Sequence, residues 1–220
     1  MIWLKQRSVI LTVRLVSSRK EIFPKSSLVM PKHLSQNEFE AGKLESSKVS
    51  RPRLAGPQDV PSLLAHYLRL SEIDRYTRFF SAMSDDGIQR YADASDWSRM
   101  VAVCVYGGDE LVGIAELGWD ECGKPMNAEL GVSVEARLRR RGLASWLVYE
   151  LFRWGAAIGV QNVHASWVGG NDAVGRIMRE YGAEIWLSGN HWRGKVPLLS
   201  LPEVVATEKP HSHKVIVPNV

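Results

Sequence analysis

A short arginine-rich loop between an apolar strand pattern and a helical pattern is the segment best suited to chemistry. Its basic side chains are Arg137, Arg139, Arg140 and Arg141. The first N–H groups of a helix lack partners inside the helix, and together with the helix dipole they attract anions. Because Gly142 and Ala144 are small, a phosphate can approach the backbone closely there. The loop therefore predicts a cradle for a phosphate or pyrophosphate group.

Two glutamates near this loop are candidates for proton transfer. The run Ala128–Val134 alternates, with its apolar side chains on one strand face and Glu129 on the other. Glu116 lies on the preceding predicted strand. A positioned carboxylate can take a proton from a reacting group. The structural alternative for Glu129 is an ordinary exposed strand glutamate.

The spacing of the loop distinguishes it from the common nucleotide-binding loops, since neither G-x-x-x-x-G-K-[ST] nor G-x-G-x-x-G occurs in the chain. The segment reads V-x-V-x-x-x-x-R-x-x-G-x-A. The residues that fill these positions are Val132, Val134, Arg139, Gly142 and Ala144. This pattern resembles the acyl-CoA-binding motif of the GNAT superfamily of N-acetyltransferases, and the resemblance covers about residues 48–201.

The resemblance implies an α/β (α+β) fold, the GNAT fold, in which helices flank a central, mixed, mostly antiparallel twisted sheet of about six to seven strands. The strand Ala128–Val134 would splay from the strand Asn162–Val168, with the acyl thioester in the split between them. Backbone amides of the loop would hold the CoA pyrophosphate, and the strand edge would pair with the pantetheine arm. The residues that the resemblance assigns to acetyl-CoA are Val132, Val134, Arg137, Arg139, Arg140, Arg141, Gly142, Leu143, Ala144 and Asn171.

The segment from Ser71 to Ser81 carries a narrower resemblance, to the S-x-x-x-R-Y-x-R-F-F segment of bacterial protein-lysine acetyltransferases. In that subgroup the glutamate at the position of Glu129 serves as general base, so the resemblance makes Glu129 the first choice for this role and Glu116, on the preceding strand, the second. A lysine amine has a pKa near 10.4, so a base must remove a proton before the amine can attack. The resemblance implies transfer of acetyl from acetyl-CoA to a primary amine, with a protein lysine favoured, by direct attack in a ternary complex. The alternatives are a small-molecule amine acetyltransferase and a non-catalytic CoA-binding regulatory module.

The group that protonates the departing thiolate is not assigned by the sequence. Many GNAT enzymes place a tyrosine seven residues after the asparagine that begins the second cofactor helix, but here that position is Met178. Tyr181 lies further on and is predicted to belong to the core. His164 is predicted to be structural, although its alternation with apolar neighbours can also turn it toward the split.

Hydrophobic periodicity predicts helices first, then three meandering strands, then a loop, helix, strand, helix and final hairpin. Residues 1–46 are predicted to be a poorly ordered basic extension, 47–201 the acyltransferase domain and 202–220 a flexible tail. The last strand is predicted over Val196–Leu201. His191, Trp192 and Arg193 would then lie in the last hairpin turn, where they are weaker candidates for the acceptor site.

The basic character of the chain belongs to its first fifth. The net charge is +4 and the pI is about 9.1. Residues 1–50 carry nine Lys and Arg against four Asp and Glu, whereas the remaining 170 residues carry 19 against 20. An alternative start at Met30 would remove much of this basic excess. The composition therefore favours no nucleic-acid partner for the domain.

The number of cysteines and the length of the apolar runs bear on metal binding and on membrane association. Cys104 sits in an apolar run and is predicted to be a core residue, and with Cys122 it shows no metal-ligand spacing. No run approaches the ~18–20 apolar residues of a membrane helix, so no membrane partner is predicted. A cytoplasmic location, no metal, and either a monomer or a homodimer are the expectations.

Overall fold

The computed structural model describes residues 49–120, 125–170 and 172–198. Within these ranges the chain forms a mixed α/β domain of seven strands and five helices. The strands are β1 (Arg53–Leu54), β2 (Met100–Gly107), β3 (Glu110–Gly118), β4 (Asn127–Val134), β5 (Asn162–Val168), β6 (Glu184–Ser188) and β7 (His191–Pro197). The helices are α1 (Val60–Leu68), α2 (Glu72–Phe79), α3 (Asp85–Asp93), α4 (Leu143–Ala157) and α5 (Asp172–Glu180). The predicted fold class is confirmed.

The seven strands form one sheet in the order β1-β2-β3-β4-β5-β7-β6. The neighbours are antiparallel except for β4 and β5, which are parallel. A parallel pair needs a crossover connection, and α4 supplies it. The β4–β5 pairing covers only three register pairs and ends at Glu129 and His164. Beyond that point β4 stays paired with β3 as far as Val134, so the predicted split between the two strands is present.

Apolar side chains pack on both faces of the central strands, which explains why β2 and β3 are nearly continuous apolar runs. On one face α4 and α5 cover the sheet with buried side chains that include Leu147, Phe152 and Ile177. On the other face α1 and α3 contribute Leu63 and Ile88. Each fully buried side chain of this kind stabilises the fold by roughly 1.5–3 kcal/mol.

Cys104 lies in the second of these cores, as predicted, and is fully buried. Burial raises the pKa of its thiol to about 11. The thiol is therefore protonated at neutral pH and behaves as a small apolar core group.

Helix α2 differs from the other helices because none of its residues is fully buried. It begins at the N-cap Ser71, whose Oγ accepts a hydrogen bond of 3.2 Å from the N–H of Asp74. It ends where Phe80 adopts a left-handed conformation with φ of 53°. Polar and aromatic contacts at three points along its length hold α2 against the sheet, and these contacts belong to the candidate site.

The prediction for the last strand was wrong. Strand β7 begins at His191, five residues earlier than expected, and the turn consists of Gly189 and Asn190. His191, Trp192 and Arg193 therefore lie on a strand and not in the turn. Their side chains show no apolar alternation, but β7 pairs with β5 over seven residues and with β6 over five. Strand β7 therefore forms because its backbone pairs with a strand on each side, and not because its side chains alternate.

Candidate active site

The split between β4 and β5 leaves one backbone edge of β4 without a neighbouring strand. The N–H of Glu135 donates to the carbonyl of Val112 at 3.0 Å. Because antiparallel pairing alternates, Ser133 and Gly131 also direct their backbone groups toward β3. Val132 and Val134 direct theirs the other way, into the gap. Apart from the carbonyl of Val134, which accepts from Arg139, no described residue is hydrogen-bonded to this edge, which is the one that the sequence assigned to the pantetheine arm.

The loop after β4 presents a row of unpaired amides at the end of this gap. The N–H of Arg139 still donates to the carbonyl of Ala136, and the first α-helical bond of α4 runs from Trp146 to Gly142. Among the described residues, the amides between these two points donate to no backbone carbonyl; they belong to Arg140, Arg141, Gly142, Leu143, Ala144 and Ser145. Such a row at a helix N-terminus is an anion cradle.

Two residues in the left-handed region turn the chain into this cradle. Gly142 is the N-cap of α4 with φ of 81°, and Arg140 has φ of 58°. The left-handed region is free of steric cost for glycine and costs other residues about 1–2 kcal/mol. The glycine of the motif is therefore required by the backbone as well as by close approach of a ligand.

The four arginines of the loop have different partners. The Arg139 Nε donates to the carbonyl of Val134 at 3.0 Å, and its Nη2 lies 2.8 Å from Oδ1 of Asp74. Arg137 forms ion pairs with Glu110 at 3.0 Å and Glu135 at 3.1 Å. These two guanidinium groups are therefore engaged within the protein.

The exposed side chains of Arg140 and Arg141 have no acidic partner within 4 Å among the described residues. They follow Arg139 directly and flank the row of free amides. An incoming polyphosphate would meet these two cations without first having to break an ion pair.

Asp74 links the cofactor loop to α2. Burial alone would raise the pKa of Asp74, but the hydrogen bonds from Arg139 and Ser71 outweigh it and hold the pKa below its ordinary value. The carboxylate is therefore charged at neutral pH and fastens the first turn of α2 to the loop. Sequence analysis did not single out Asp74, because nothing local marks it as the partner of a residue 65 positions away.

Glu116 forms a buried ion pair with Arg78 of α2. Its side chain is 4% exposed, and the guanidinium of Arg78 donates to its Oε2. The hydroxyl of Tyr91 also donates to Oε2, at 3.3 Å. Arg78 belongs to the arginine-tyrosine segment that the sequence singled out, but its partner was not predicted. A carboxylate held in this way is unsuited to the alternative role of general base.

Glu129 lies on the same sheet face and is exposed. It lines a cleft of about 260 Å³ together with Gly118, Trp119, Asp120, Asn127, Ala128 and His164. This cleft opens at the point where β4 and β5 part. A carboxylate, an imidazole and the open strand edge therefore meet in one place.

The family model of the GNAT acetyltransferases matches residues 66–182, which is more than half of the chain. The chain belongs to the GNAT acetyltransferase family. Members of this family use acetyl-CoA as acyl donor, and the matched range contains the split strands, the loop and Glu129. No curated protein matches the sequence significantly.

Solved GNAT structures resemble this domain at low sequence identity. The GNAT domain of S. lividans PAT has a TM-score of 0.56 at 19% identity and covers 66% of this chain and 88% of that chain. A GNAT acetyltransferase from Streptococcus pneumoniae gives 0.52 at 16%, covering 67% and 98%. Ribosomal-protein-alanine N-acetyltransferase from Brucella melitensis gives 0.50 at 18%, covering 66% and 97%. At these identities the likeness concerns the fold.

Helix α5, whose start the sequence assigned to the cofactor, contains no tyrosine between Asp172 and Glu180. Met178 is fully buried, and Tyr181 is 4% exposed with its ring 4.8 Å from that of Phe152. Burial raises the pKa of the Tyr181 hydroxyl. Tyr181 is a core residue, as predicted. Asn171 lies outside the described residues, as does Cys122.

The far end of α2 reaches β7 across the GNAT sheet. The ring of Phe80 lies 5.1 Å from that of His191. Asp74 in the first turn of α2, Arg78 in its last turn and Phe80 just after it therefore fix this helix across the opening of the split. Sequence analysis gave His191 as a weaker candidate for the acceptor site; in the structure it lies at the start of β7, beside Phe80.

The described residues contain no helix long and apolar enough to cross a membrane. They also contain no group of three His, Cys, Asp or Glu side chains arranged to hold a metal ion. The predicted extension and tail lie outside the described residues.

Proposed function

We propose that this protein transfers the acetyl group of acetyl-CoA to a primary amine. The observation that carries the proposal is the continuous path from Glu129, along the open edge of β4, to the free amides of the loop. An extended thioester arm with a pyrophosphate at its far end needs a strand edge followed by an anion cradle. The residues between 129 and 145 provide both in that order.

The loop and the edge of β4 supply hydrogen-bonding groups and charges that match the parts of acetyl-CoA. The amides of Gly142, Leu143 and Ala144 are free to donate to pyrophosphate oxygens. The backbone of Val132 and the N–H of Val134 face the gap, whereas the carbonyl of Val134 is taken by Arg139. Arg140 and Arg141 are available for the phosphates. Arg137 and Arg139 support the loop through their ion pairs, which is a different role from direct contact.

Glu129 is proposed as the general base. It is exposed to the cleft in which an amine would approach the thioester. Glu129 takes one proton from the ammonium form of the acceptor, and the amine then attacks the thioester carbon. The carbon–nitrogen bond forms, the carbon–sulfur bond breaks, and the sulfur takes up the second amine proton. A backbone N–H near Val132 is the candidate donor to the carbonyl oxygen.

A protein lysine is the proposed acceptor, with direct attack in a ternary complex. The arginine-tyrosine segment of α2 supports this choice, and so does the name of one structural neighbour, which is the GNAT domain of a PAT protein. The cleft at Glu129 is open to solvent, as a lysine on another protein requires. A small-molecule amine is the alternative acceptor.

Binding and turnover together test the proposal. Acetyl-CoA should raise the melting temperature, because a ligand bound only by the folded state adds RT ln(1 + [L]/Kd) to stability. Mass spectrometry after incubation with acetyl-CoA and cell extract should reveal acetylated lysines. Glu129→Gln should reduce turnover by about 100-fold or more while acetyl-CoA still binds. Glu184→Gln, the same change on an exposed strand glutamate away from the cleft, is the control.

Each outcome of these measurements separates the alternatives. Absence of a thermal shift at millimolar acetyl-CoA would overturn the proposal. A clear shift without any acetylated product would favour a non-catalytic CoA-binding module. Acetylation of small amines alone would replace the protein-lysine acceptor. Unchanged turnover of Glu129→Gln would assign the base to another group.

A further inference from the structure

His164 occupies a position that the sequence treated as structural. It is the register partner of Glu129 across the parallel β4–β5 pair. Partners in a parallel pair point to the same sheet face, and both side chains line the cleft. His164 is half-buried, and no hydrogen bond from the described residues fixes its imidazole. Its ring is therefore available to a group in the cleft.

The charges around His164 favour its neutral form. Burial lowers the pKa of its imidazole, and the cations of Lys195 and Arg193 on β7 lower it further, while Glu129 acts in the opposite direction. Lys195 lies directly opposite His164 in the β5–β7 register. Asp120 is the remaining acidic side chain that lines the cleft. A neutral imidazole at neutral pH can accept a proton.

The acceptor and the acyl donor would both cover Glu129 when they are bound. A proton taken by Glu129 then needs a route out of the cleft. Imidazole is in general a stronger base than a carboxylate, so a neutral histidine can take a proton from a carboxylic acid. His164 stands beside Glu129 on the neighbouring strand, between Glu129 and Lys195 of β7.

We propose that His164 receives the acceptor's proton from Glu129 and passes it to solvent. This inference rests on the proposed acetyltransferase function. The ammonium group loses one proton, which moves through Glu129 to His164 and then to water. The second amine proton goes to the sulfur of CoA as the carbon–sulfur bond breaks, so Glu129 and His164 both return to their starting forms.

The test is the pH dependence of turnover at saturating acetyl-CoA. His164→Gln should lower kcat about tenfold near pH 7 and remove one group from the acidic limb of the profile. The KM for acetyl-CoA should stay unchanged. Added imidazole should restore part of the activity of His164→Ala, an effect that a structural role cannot produce. Gln161→Ala, an exposed position just before β5, is the control and should show neither effect.

A second variant tests the electrostatic setting without removing the imidazole. Lys195→Met should raise the pKa of His164 and move the acidic limb of the profile to higher pH. His164→Gln with wild-type kcat and profile, or no response of His164→Ala to imidazole, would overturn the inference. A wild-type protein that acetylates no amine would instead overturn the proposed function, so the two failures are distinguishable.

Discussion

The guanidinium of Arg78 lies directly against the Cα of Gly131. A Cβ at residue 131 would come 2.6 Å from Nη1 of Arg78 and closer still to its Cζ and Nη2. Gly131 is also the cross-strand partner of Glu116, which pairs with the same arginine. Helix α2 can therefore pack over the open strand only because residue 131 has no side chain.

Gly131→Ala should push Arg78 away from Glu116 and leave a buried carboxylate poorly paired. We expect a loss of about 2–3 kcal/mol in the free energy of unfolding, measured by urea denaturation. Gly169→Ala is the matched control, because a Cβ there meets nothing within 4 Å and its φ is not positive. That control should stay within about 0.5 kcal/mol of the parent. Equal stability of both variants would contradict the packing.

The Arg78–Glu116 pair should behave as a coupled unit. Arg78→Met alone leaves an uncompensated buried charge and should cost about 3–5 kcal/mol, and Glu116→Gln alone should also destabilise. The double variant should cost clearly less than the sum of the single changes. A double-mutant cycle in urea measures this coupling, and simple additivity would argue against a buried pair.

Asp74→Asn should weaken acetyl-CoA binding although residue 74 lies outside the loop. Without its carboxylate partner, Arg139 no longer fastens the loop to α2, so we expect a several-fold rise in Kd by calorimetry. The loss of stability should stay below about 1 kcal/mol, because the pair is partly exposed. If Asp74→Asn and Arg139→Gln act through one contact, the double variant should bind no more weakly than Arg139→Gln.

Arg140→Ala and Arg141→Ala should each raise the Kd for acetyl-CoA several-fold without lowering stability. Their guanidinium groups have no internal acidic partner among the described residues, so nothing in the fold is lost with them. The effect should shrink at high salt, because exposed charges are screened. Arg90→Ala, which removes an exposed arginine on α3, should leave the affinity unchanged. An effect independent of salt would point to a steric cause.

The buried Asp59 should make stability depend on pH in the acidic range. The hydrogen bonds from Arg53, with those from Gly56 and Tyr106, hold the pKa of Asp59 at about 2 against an ordinary value of 3.8. On acidification the unfolded chain takes up this proton first, so the stabilisation is complete above pH 4 and is lost toward pH 2. The contribution of the Asp59 carboxylate to the free energy of unfolding amounts to about 2 kcal/mol.

Thermal unfolding between pH 6 and pH 2 checks this expectation with Asp59→Asn. The variant should be less stable than the parent at pH 6, and the difference should shrink as the pH falls. A constant difference across this range would mean that the charge of Asp59 contributes nothing. Asp93→Asn, at the end of α3, serves as the control for loss of an exposed carboxylate.

The order of elements and the loop were predictable because their signals are local. The alternation of Ala128–Val134, the glycine at the start of α4 and the helical spacing of its apolar residues depend only on neighbours in the chain. The last strand was misplaced because its pairing partners are β5 and β6, which lie elsewhere in the sequence. The helical spacing of apolar residues in α4 extends to Ile158, but Ile158 lies just past the helix end and is 42% exposed.

The sequence alone predicted the family, the loop proposed to bind an anion and Glu129 as the proposed base, since motif spacing and strand alternation depend on residues that are close in the chain. Only the tertiary structure decided which arginine side chains form ion pairs within the protein and which are available to a ligand. Packing of α2 over β4 pairs Arg78 with Glu116 and Arg139 with Asp74, and it leaves Arg140 and Arg141 open. The parting of β4 from β5 sets His164 beside Glu129. These contacts join residues that are far apart in the chain. Such residues come within contact distance, and become buried, only when the chain folds.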